Sequence, residues 1–469
     1  MRVEQLISDY LGEEINSSAD VVNALRFRGH PLPNIREIES QWDPRKHEIF
    51  NTANRPDKLI KKDINGETIT VVEPVARIAL ALQKLIVRRA ASFLFGNDVV
   101  IHSGKVKLSE QERTVLGAIK RILKDNKEKS HNKKLARTLF KSTEVAEVWY
   151  AVDDRNRDRY GIGSGLKVRC QILSPLNGDI LYPLYNDTGV MIAFSREYKR
   201  KIGENDYTFF ETYTAEEKVK WVSGGQFSTW REVKDSRKPN PIGKIPVVYA
   251  RQDLSEWYDV QNIIERLEKL LSNYADTIDY HASPTIFVKG QVTGFAKKGE
   301  SGKIIESEND ADAKYLAWDQ APDAVKLEIE TDLRFIFSLT QTPDISFESV
   351  KGIGNVSGIA LKLLFLDAHL KTESNKEIFD EFLTRRYNIL KAFVGVMNMK
   401  LDGSADSLAL EPDIVPYMIA DDQALIEMLS VATGQKQLLS QKSALRILGW
   451  IDDIDAELEE IENENQKLT

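Results

Sequence analysis

Between Ser255 and Thr340 the chain carries two helix-length apolar stripes separated by a short segment of different character. The first runs Val260, Ile263, Ile264, Leu267, Leu270, Leu271, Tyr274 and Ile278; the second runs Val325, Leu327, Ile329, Leu333, Ile336 and Leu339. Recurrence at three and four residues places each set on one face of a helix. The segment between them opens at Pro284 and carries short strand patterns around Thr285, Lys303 and Lys314. A helix that leaves a body, carries a small module at its tip and returns holds more apolar surface than one antiparallel pair covers. Other copies of the same chain are the obvious partners, and a ring is the closed form of such packing.

The flanking sequence fills in the body. Asn65-Gly66 between alternating residues predicts a hairpin over Lys61–Val72. Apolar spacing predicts a helix over Val75–Leu94 and a second, basic helical region over Ser109–Phe140, with Lys120, Lys124, Lys127, Lys129 and Lys134 among its cations. A solvated face is the default reading of those lysines, and phosphate contact the sharper one. From Val145 to Ala250, β-rich runs alternate with turns, which predicts antiparallel hairpins. Pro343 ends the second stripe. A glycine-rich loop, Val350 to Gly358, leads into a very long helix over Ile359–Met399, with Ser357 as its N-cap. Helices and an acidic tail follow Asp402-Gly403. The fold class this predicts is α+β.

Composition narrows function. With 64 Lys and Arg against 72 Asp and Glu, the net charge is −8. A chain that coats nucleic acid needs a basic excess to displace counterions; one that surrounds DNA without gripping it does not. Cys170 is the single cysteine, so no internal disulfide forms. Met1–Glu14 has no apolar signal core, and the two features together predict a reducing cytoplasm. No run of 18 apolar residues occurs, so no membrane span is expected.

Catalytic patterns fail one by one. Ile101-His102-Ser103-Gly104-Lys105 lacks the early glycine of a phosphate-binding loop, and Val106 replaces its Ser or Thr; a hairpin turn is expected there. Gly352-Ile353-Gly354 has no strand before it and its third glycine, Gly358, is out of register for a dinucleotide fingerprint. Asp154, Asn156 and Asp158 have calcium-loop spacing, but Arg159 and Gly165 stand where Gly and Glu are needed, which leaves a charged hairpin connection. The six histidines show no metal-ligand spacing. No catalytic residue, cofactor or metal is expected.

Four motifs in order carry a resemblance. Glu73-Pro74-Val75-Ala76-Arg77-Ile78 through Phe93-Leu94-Phe95-Gly96-Asn97-Asp98-Val99 resembles an early helix ending in an LFG-x-x-V turn; Asn240-Pro241-Ile242-Gly243-Lys244-Ile245-Pro246-Val247-Val248 resembles an NPLGxIPVV strand. Ser255 to Leu267 resembles a stem helix, and Asn355 to Lys362 resembles an SGxALK helix start. All four belong to the portal protein family of tailed double-stranded DNA bacteriophages.

The resemblance implies an anatomy: wing 1–254 and 359–410, stem 255–283 with 322–342, clip 284–321, tunnel loop 343–358 and helical crown 411–469. It implies rings of about a dozen subunits at one capsid vertex. These would assemble in the host cytoplasm, reside in the virion and pass viral DNA without sequence preference. Expected partners are the terminase large subunit, the major capsid and scaffold proteins, and a head-completion or adaptor protein. Lys351, Gly352, Gly354 and Asn355 would line the channel; Lys297, Lys298 and Glu300 would meet terminase; Ile263, Leu267, Leu270, Leu333 and Ile336 would pack the stem. The competing readings are another structural virion or scaffold protein without a channel, and an enzyme whose site is not local in sequence.

Overall fold

Local chemistry sets most element boundaries. A computed structural model describes residues 2–12, 15–64, 67–105, 107–281, 285–289, 292–295, 305–307, 312–316, 321–345, 365–417, 422–434, 437–451 and 454–468. Helices α1 (Val3–Leu11) and α2 (Ser18–Leu25) open the chain, and the Ser17 hydroxyl accepts the Asp20 N–H at the start of α2. Helix α3 (Ile35–Trp42) is capped in the same way by Asn34. Strands β1 (Lys58–Ile64) and β2 (Glu67–Glu73) form the expected hairpin with Ile64 opposite Glu67; the turn, 65–66, lies outside the described residues. The helix expected from Val75 begins only at Leu82: α4 spans Leu82–Leu94. Pro74 and hydrogen bonds from Ala76, Ile78 and Leu80 to a later helix hold the preceding segment extended.

Strand β3 (Val100–Ser103) precedes α5 (Glu110–Asp125) and α6 (Glu128–Ser142). Ser109 and Glu112 form a reciprocal capping box at the start of α5. The single basic region expected from Ser109 breaks at Lys127, whose φ of 53° is left-handed. The β-region is as expected: β4 (Glu144–Asp153), β5 (Leu166–Leu173), β6 (Ile180–Tyr185), β7 (Met191–Ile202), β8 (Asn205–Tyr213), β9 (Glu217–Gly224), β10 (Phe227–Glu232), β11 (Lys238–Pro239) and β12 (Val247–Arg251). Strands β6 to β10 form an antiparallel meander with β11 added on β9, while β12, β4 and β5 form a second sheet.

A short 3₁₀ turn leads into α7 (Gln261–His281). Strands β13 (Thr285–Lys289), β14 (Val292–Phe295), β15 (Ile305–Ser307) and β16 (Asp312–Leu316) pair as nested hairpins, β13 with β16 and β14 with β15. Then come α8 (Ala321–Leu339), α9 (Leu366–Met397), α10 (Asp402–Ser407), β17 (Leu410–Asp413), α11 (Asp422–Thr433), α12 (Gln441–Leu448) and α13 (Ile454–Leu468). The α+β expectation is borne out.

Helix α9 has 32 residues and is about 48 Å long at 1.5 Å per residue. Its Phe379, Phe382, Leu383, Tyr387, Leu390 and Val394 are buried in one core shared with α4, α5, α6, α7 and both edges of the β4 sheet. Each such side chain contributes about 1.5–3 kcal/mol on removal from water. A separate core lies under α1 and α2: Val3, Leu6, Val22 and Leu25 cover Phe210 and Trp221 of the meander.

Candidate functional site

Helix α7 is docked on an extended segment, residues 76–80. Three alternate N–H groups, of Ala76, Ile78 and Leu80, donate to Asp276 Oδ1 at 2.8 Å, Ser272 Oγ at 2.9 Å and Glu268 Oε1 at 2.8 Å on α7. Two residues of strand advance about 6.6 Å, and four residues of helix about 6 Å, so the two spacings stay in step over three contacts. Two outside groups complete the row. His47 Nδ1 lies 2.7 Å from Glu268 Oε1, both buried, and Arg55 pairs with Asp276 at 2.6 Å. Burial alone would lower the His47 pKa, but the hydrogen bond to Glu268 and its charge overcome that and hold it above the usual 6.5. The segment that carries the first resemblance motif therefore fixes how α7 leaves the body.

The apolar residues of α7 and α8 divide into two sets. Ile264, Leu267, Leu270 and Ile336 are buried within the subunit, and Ile263, Leu333 and Ile329 are half-buried against the same core. Leu327, Phe335 and Leu339 lie at four- and eight-residue spacing on the other face of α8 and are 65%, 48% and 59% exposed. Ile278 on α7 is also exposed. Of the expected stem residues, Leu267, Leu270 and Ile336 thus stabilise the single chain, and the surface free for a neighbour is a different set. Sequence periodicity finds both stripes but cannot say which one the subunit uses itself.

Described residues on either side of the segment expected to be the tunnel loop contact α4 and α9. Arg89 donates to the Pro343 carbonyl at 2.5 Å, and Lys371 Nζ donates to the Thr340 carbonyl at 2.8 Å. Phe93, one turn beyond Arg89, packs on Phe365 with ring centroids 5.5 Å apart. Pro343 and Phe365 thus lie at neighbouring points of α4, one helical turn apart. Lys351, Gly352, Gly354 and Asn355 lie outside the described residues, as do Lys297, Lys298 and Glu300. Sequence reading singled out neither Arg89 nor the contact role of Phe93, which it names only as part of the first resemblance motif.

Gly96, in the same motif, has no room for a Cβ against Tyr417, and the Tyr417 N–H donates to the Phe93 carbonyl at 2.8 Å. The chain after β17 is thus clamped to the end of α4.

The rejected chemistry finds structural employment. The turn expected at Gly104 is not a local hairpin: β3 pairs with β17, with Ser103 opposite Leu410, because an edge at that place is completed by a distant strand. Lys105 there pairs with the buried Glu112. The Asp154 loop is the expected β4–β5 connection, its oxygens taken by backbone N–H groups and Arg159. Asp158 in that loop accepts the Gly163 N–H. Among the described residues no group of His, Cys, Asp and Glu gathers in metal-binding number, and no helix is long and apolar enough to cross a membrane.

One buried polar network lies outside these readings. Arg386 of α9 donates to both oxygens of Glu147 on β4, at 2.7 and 2.8 Å, and to Asn132 of α6 at 2.7 Å. His131 and Trp149 also reach Glu147, at 2.8 and 2.9 Å. Burial would raise the Glu147 carboxyl, but the Arg386 charge and these bonds hold it down at about 2. The network ties α9 to β4 and α6, with the Asn132 Nδ2 left buried without a partner among the described residues. Burial similarly pushes the Cys170 thiol up to about 12, which keeps it unreactive.

Among the described residues, the α7–α8 pair leaves Leu327, Phe335 and Leu339 exposed along one face of α8. The chain belongs to the family described as phage portal protein, SPP1 Gp6-like, which matches residues 31–468. It is similar to the portal protein of Clostridium phage phiCD119, 21% identical over 93% of this chain and 96% of that protein. Two chains from solved gene transfer agent particles, the native virion and the neck of the empty particle, align with 78% of this chain and 88% of their own. Their identity is 12% and their TM-scores are 0.38 and 0.35.

Proposed function

We propose that this portal-family chain is one subunit of a ring at a single capsid vertex, and that the ring encloses the passage through which viral DNA enters and leaves. The family match over residues 31–468 carries this reading. The role is structural and resides in the virion. In this division 1–254 and 359–410 form the wing, 255–283 with 322–342 the stem, 284–321 the clip, 343–358 the tunnel loop and 411–469 the crown. Assembly takes place in the host cytoplasm with scaffold and major capsid proteins. The clip, through Lys297, Lys298 and Glu300, docks the terminase large subunit and later a head-completion protein.

A DNA passage must hold a polyanion loosely, because each phosphate contact neutralised by Lys or Arg adds to the free energy of release. Lys351, beside Gly352 and Gly354, places one positive charge per subunit in the loop. Its field reaches about 8–10 Å at physiological salt. Pro343 and Phe365, described residues on either side of Lys351, contact α4 one turn apart, which supports the loop reading.

Negative-stain microscopy with light scattering of the purified chain tests the reading. Rings of about a dozen subunits with a central hole are expected; a monomer at every salt concentration would refute it. Lys351→Ala should leave rings and capsids normal and alter packaging or genome retention. Unchanged packaging would remove Lys351 from the channel while leaving the ring in place.

A further inference from the structure

The junction of α5 and α6 forms a cleft of about 590 Å³ whose lining includes Lys120, Lys124, Lys127, Lys129 and Ser130. Lys120, Lys124 and Lys127 are exposed and form no ion pair among the described residues. Their spacing of four and three residues sets them along one side of α5 and its end, over about 10 Å. Lys127 takes a left-handed φ of 53°, which turns the chain so that α6 begins inside the cleft. The first intrahelical bond of α6 is His131 N–H to the Lys127 carbonyl, at 3.0 Å. The N–H groups of residues 128–130 therefore have no acceptor in the helix. Positive charge, free N–H groups and the positive end of a 15-residue helix converge on one hollow.

Two carboxylates border it. Glu128 turns inward, 3.8 Å from Arg386 in the buried network. Asp98, 81% exposed at the rim, stands 3.6 Å from Lys129 and is the group an incoming anion displaces. The cations also run beyond the hollow: Lys134 and Arg137 are exposed on the next turns of α6. A single phosphate needs two or three donors, whereas this row matches a backbone that offers a charge every ~1.7 Å along its axis. In a chain of net charge −8, a local surplus of this kind directs a polyanion to one face and repels it from the rest.

We propose that the α5–α6 cleft is a phosphate-binding site on the outside of the subunit that takes the backbone of double-stranded DNA without reading its sequence. The proposal rests on the portal reading for its choice of duplex DNA over a small phosphate, and its residues are not those assigned to the channel. The helix N-terminus seats one phosphodiester, and Lys120, Lys124 and Lys127 neutralise its neighbours along the strand.

The probe is closed-circular plasmid DNA, which cannot thread a preformed ring and so does not report the channel. Filter binding across a salt series compares the wild-type chain with Lys120→Glu/Lys124→Glu/Lys127→Glu and with the milder Lys→Gln triple. All three positions are exposed, and circular dichroism and thermal unfolding confirm that each variant folds. The Glu triple should weaken plasmid binding at least ~10-fold and flatten the log–log salt slope by roughly 2–3, with the Gln triple between. Plasmid binding unchanged in both triples would overturn the proposal. So would stabilisation of the wild type by millimolar inorganic phosphate, lost in the triples, without any plasmid effect; that result assigns the cleft to a small phosphate ligand. Microscopy of the same samples separates the two readings: rings without plasmid binding reject the cleft alone, and a wild type that forms no rings rejects the portal reading.

Discussion

Arg386 is 1% exposed and Glu147 fully buried, so their pairing is an all-or-none matter for the fold. Taking two charges out of water costs several kcal/mol per ion and is offset only by close geometry and extra hydrogen bonds. Both conditions hold here, with Asn132, His131 and Trp149 satisfying the remaining positions. Glu147→Gln leaves a buried guanidinium without its counter-charge and should destabilise the chain by about 3–5 kcal/mol, read by urea unfolding at pH 7. The pH dependence has a definite sign. Glu147 is held at about 2 against an ordinary 4.5, so its contribution is present above 4.5 and is lost as pH falls through its folded value. The wild type should lose stability over that acid range, and Glu147→Gln should lose less. A variant as stable as the wild type at pH 7 would show that the network does not hold α9.

At the scale of elements, helices α7 and α8 face two ways. Leu267 is fully buried in the subunit core, so Leu267→Asp places an unpaired charge in a dry site and should prevent folding of the single chain. Phe335 and Leu339 are exposed in the isolated chain, so Phe335→Asp/Leu339→Asp should leave the monomer's thermal unfolding within a degree or two of wild type, as surface changes of about ±0.5 kcal/mol do. The same variant should lower the ring fraction in light scattering at fixed concentration. If rings persist with Phe335→Asp/Leu339→Asp, the outer stripe of α8 is not the contact between neighbours. The alignment of α7 is equally an element-scale property: three N–H groups of an extended segment meet side chains at positions 268, 272 and 276. No helix propensity explains residues 75–80, because the hydrogen-bond partners come from a helix nearly two hundred positions away.

For the whole molecule, the first 30 residues lie before the family match yet cover a face of the β6–β10 meander. The Val3 N–H donates to Glu217 at 2.8 Å, Glu4 pairs with Arg237 at 2.6 Å, and Arg28 pairs with Glu144 at 2.8 Å. Removing residues 2–30 should leave the main core around α9 intact and expose the apolar surface around Phe210 and Trp221. Increased binding of an apolar dye, with far-UV circular dichroism reduced only by the two lost helices, is the expected outcome. Unchanged dye binding would mean that α1 and α2 do not seal that face. The buried side chains of the main core and of the N-terminal cover form separate clusters.

The order of elements follows from the residues themselves. Alternation marks β4 to β9, four- and three-residue spacing marks α7, α8 and α9, and Pro343 limits the turn after α8; these are local consequences of backbone geometry and side-chain direction. The four motifs that carry the family resemblance are local too. Partnership is not local. That residues 75–80 lie extended, that β3 pairs with β17 instead of turning back, and that Glu147 meets Arg386 all depend on groups far apart in the chain. The two stripes of α7 and α8 show the same division. Their period follows from the helix, but which face the subunit buries and which it leaves open is decided by what α4, α9 and residues 74–80 press against. A hydrophobic pattern records that a side chain avoids water, not which neighbour removes it from water.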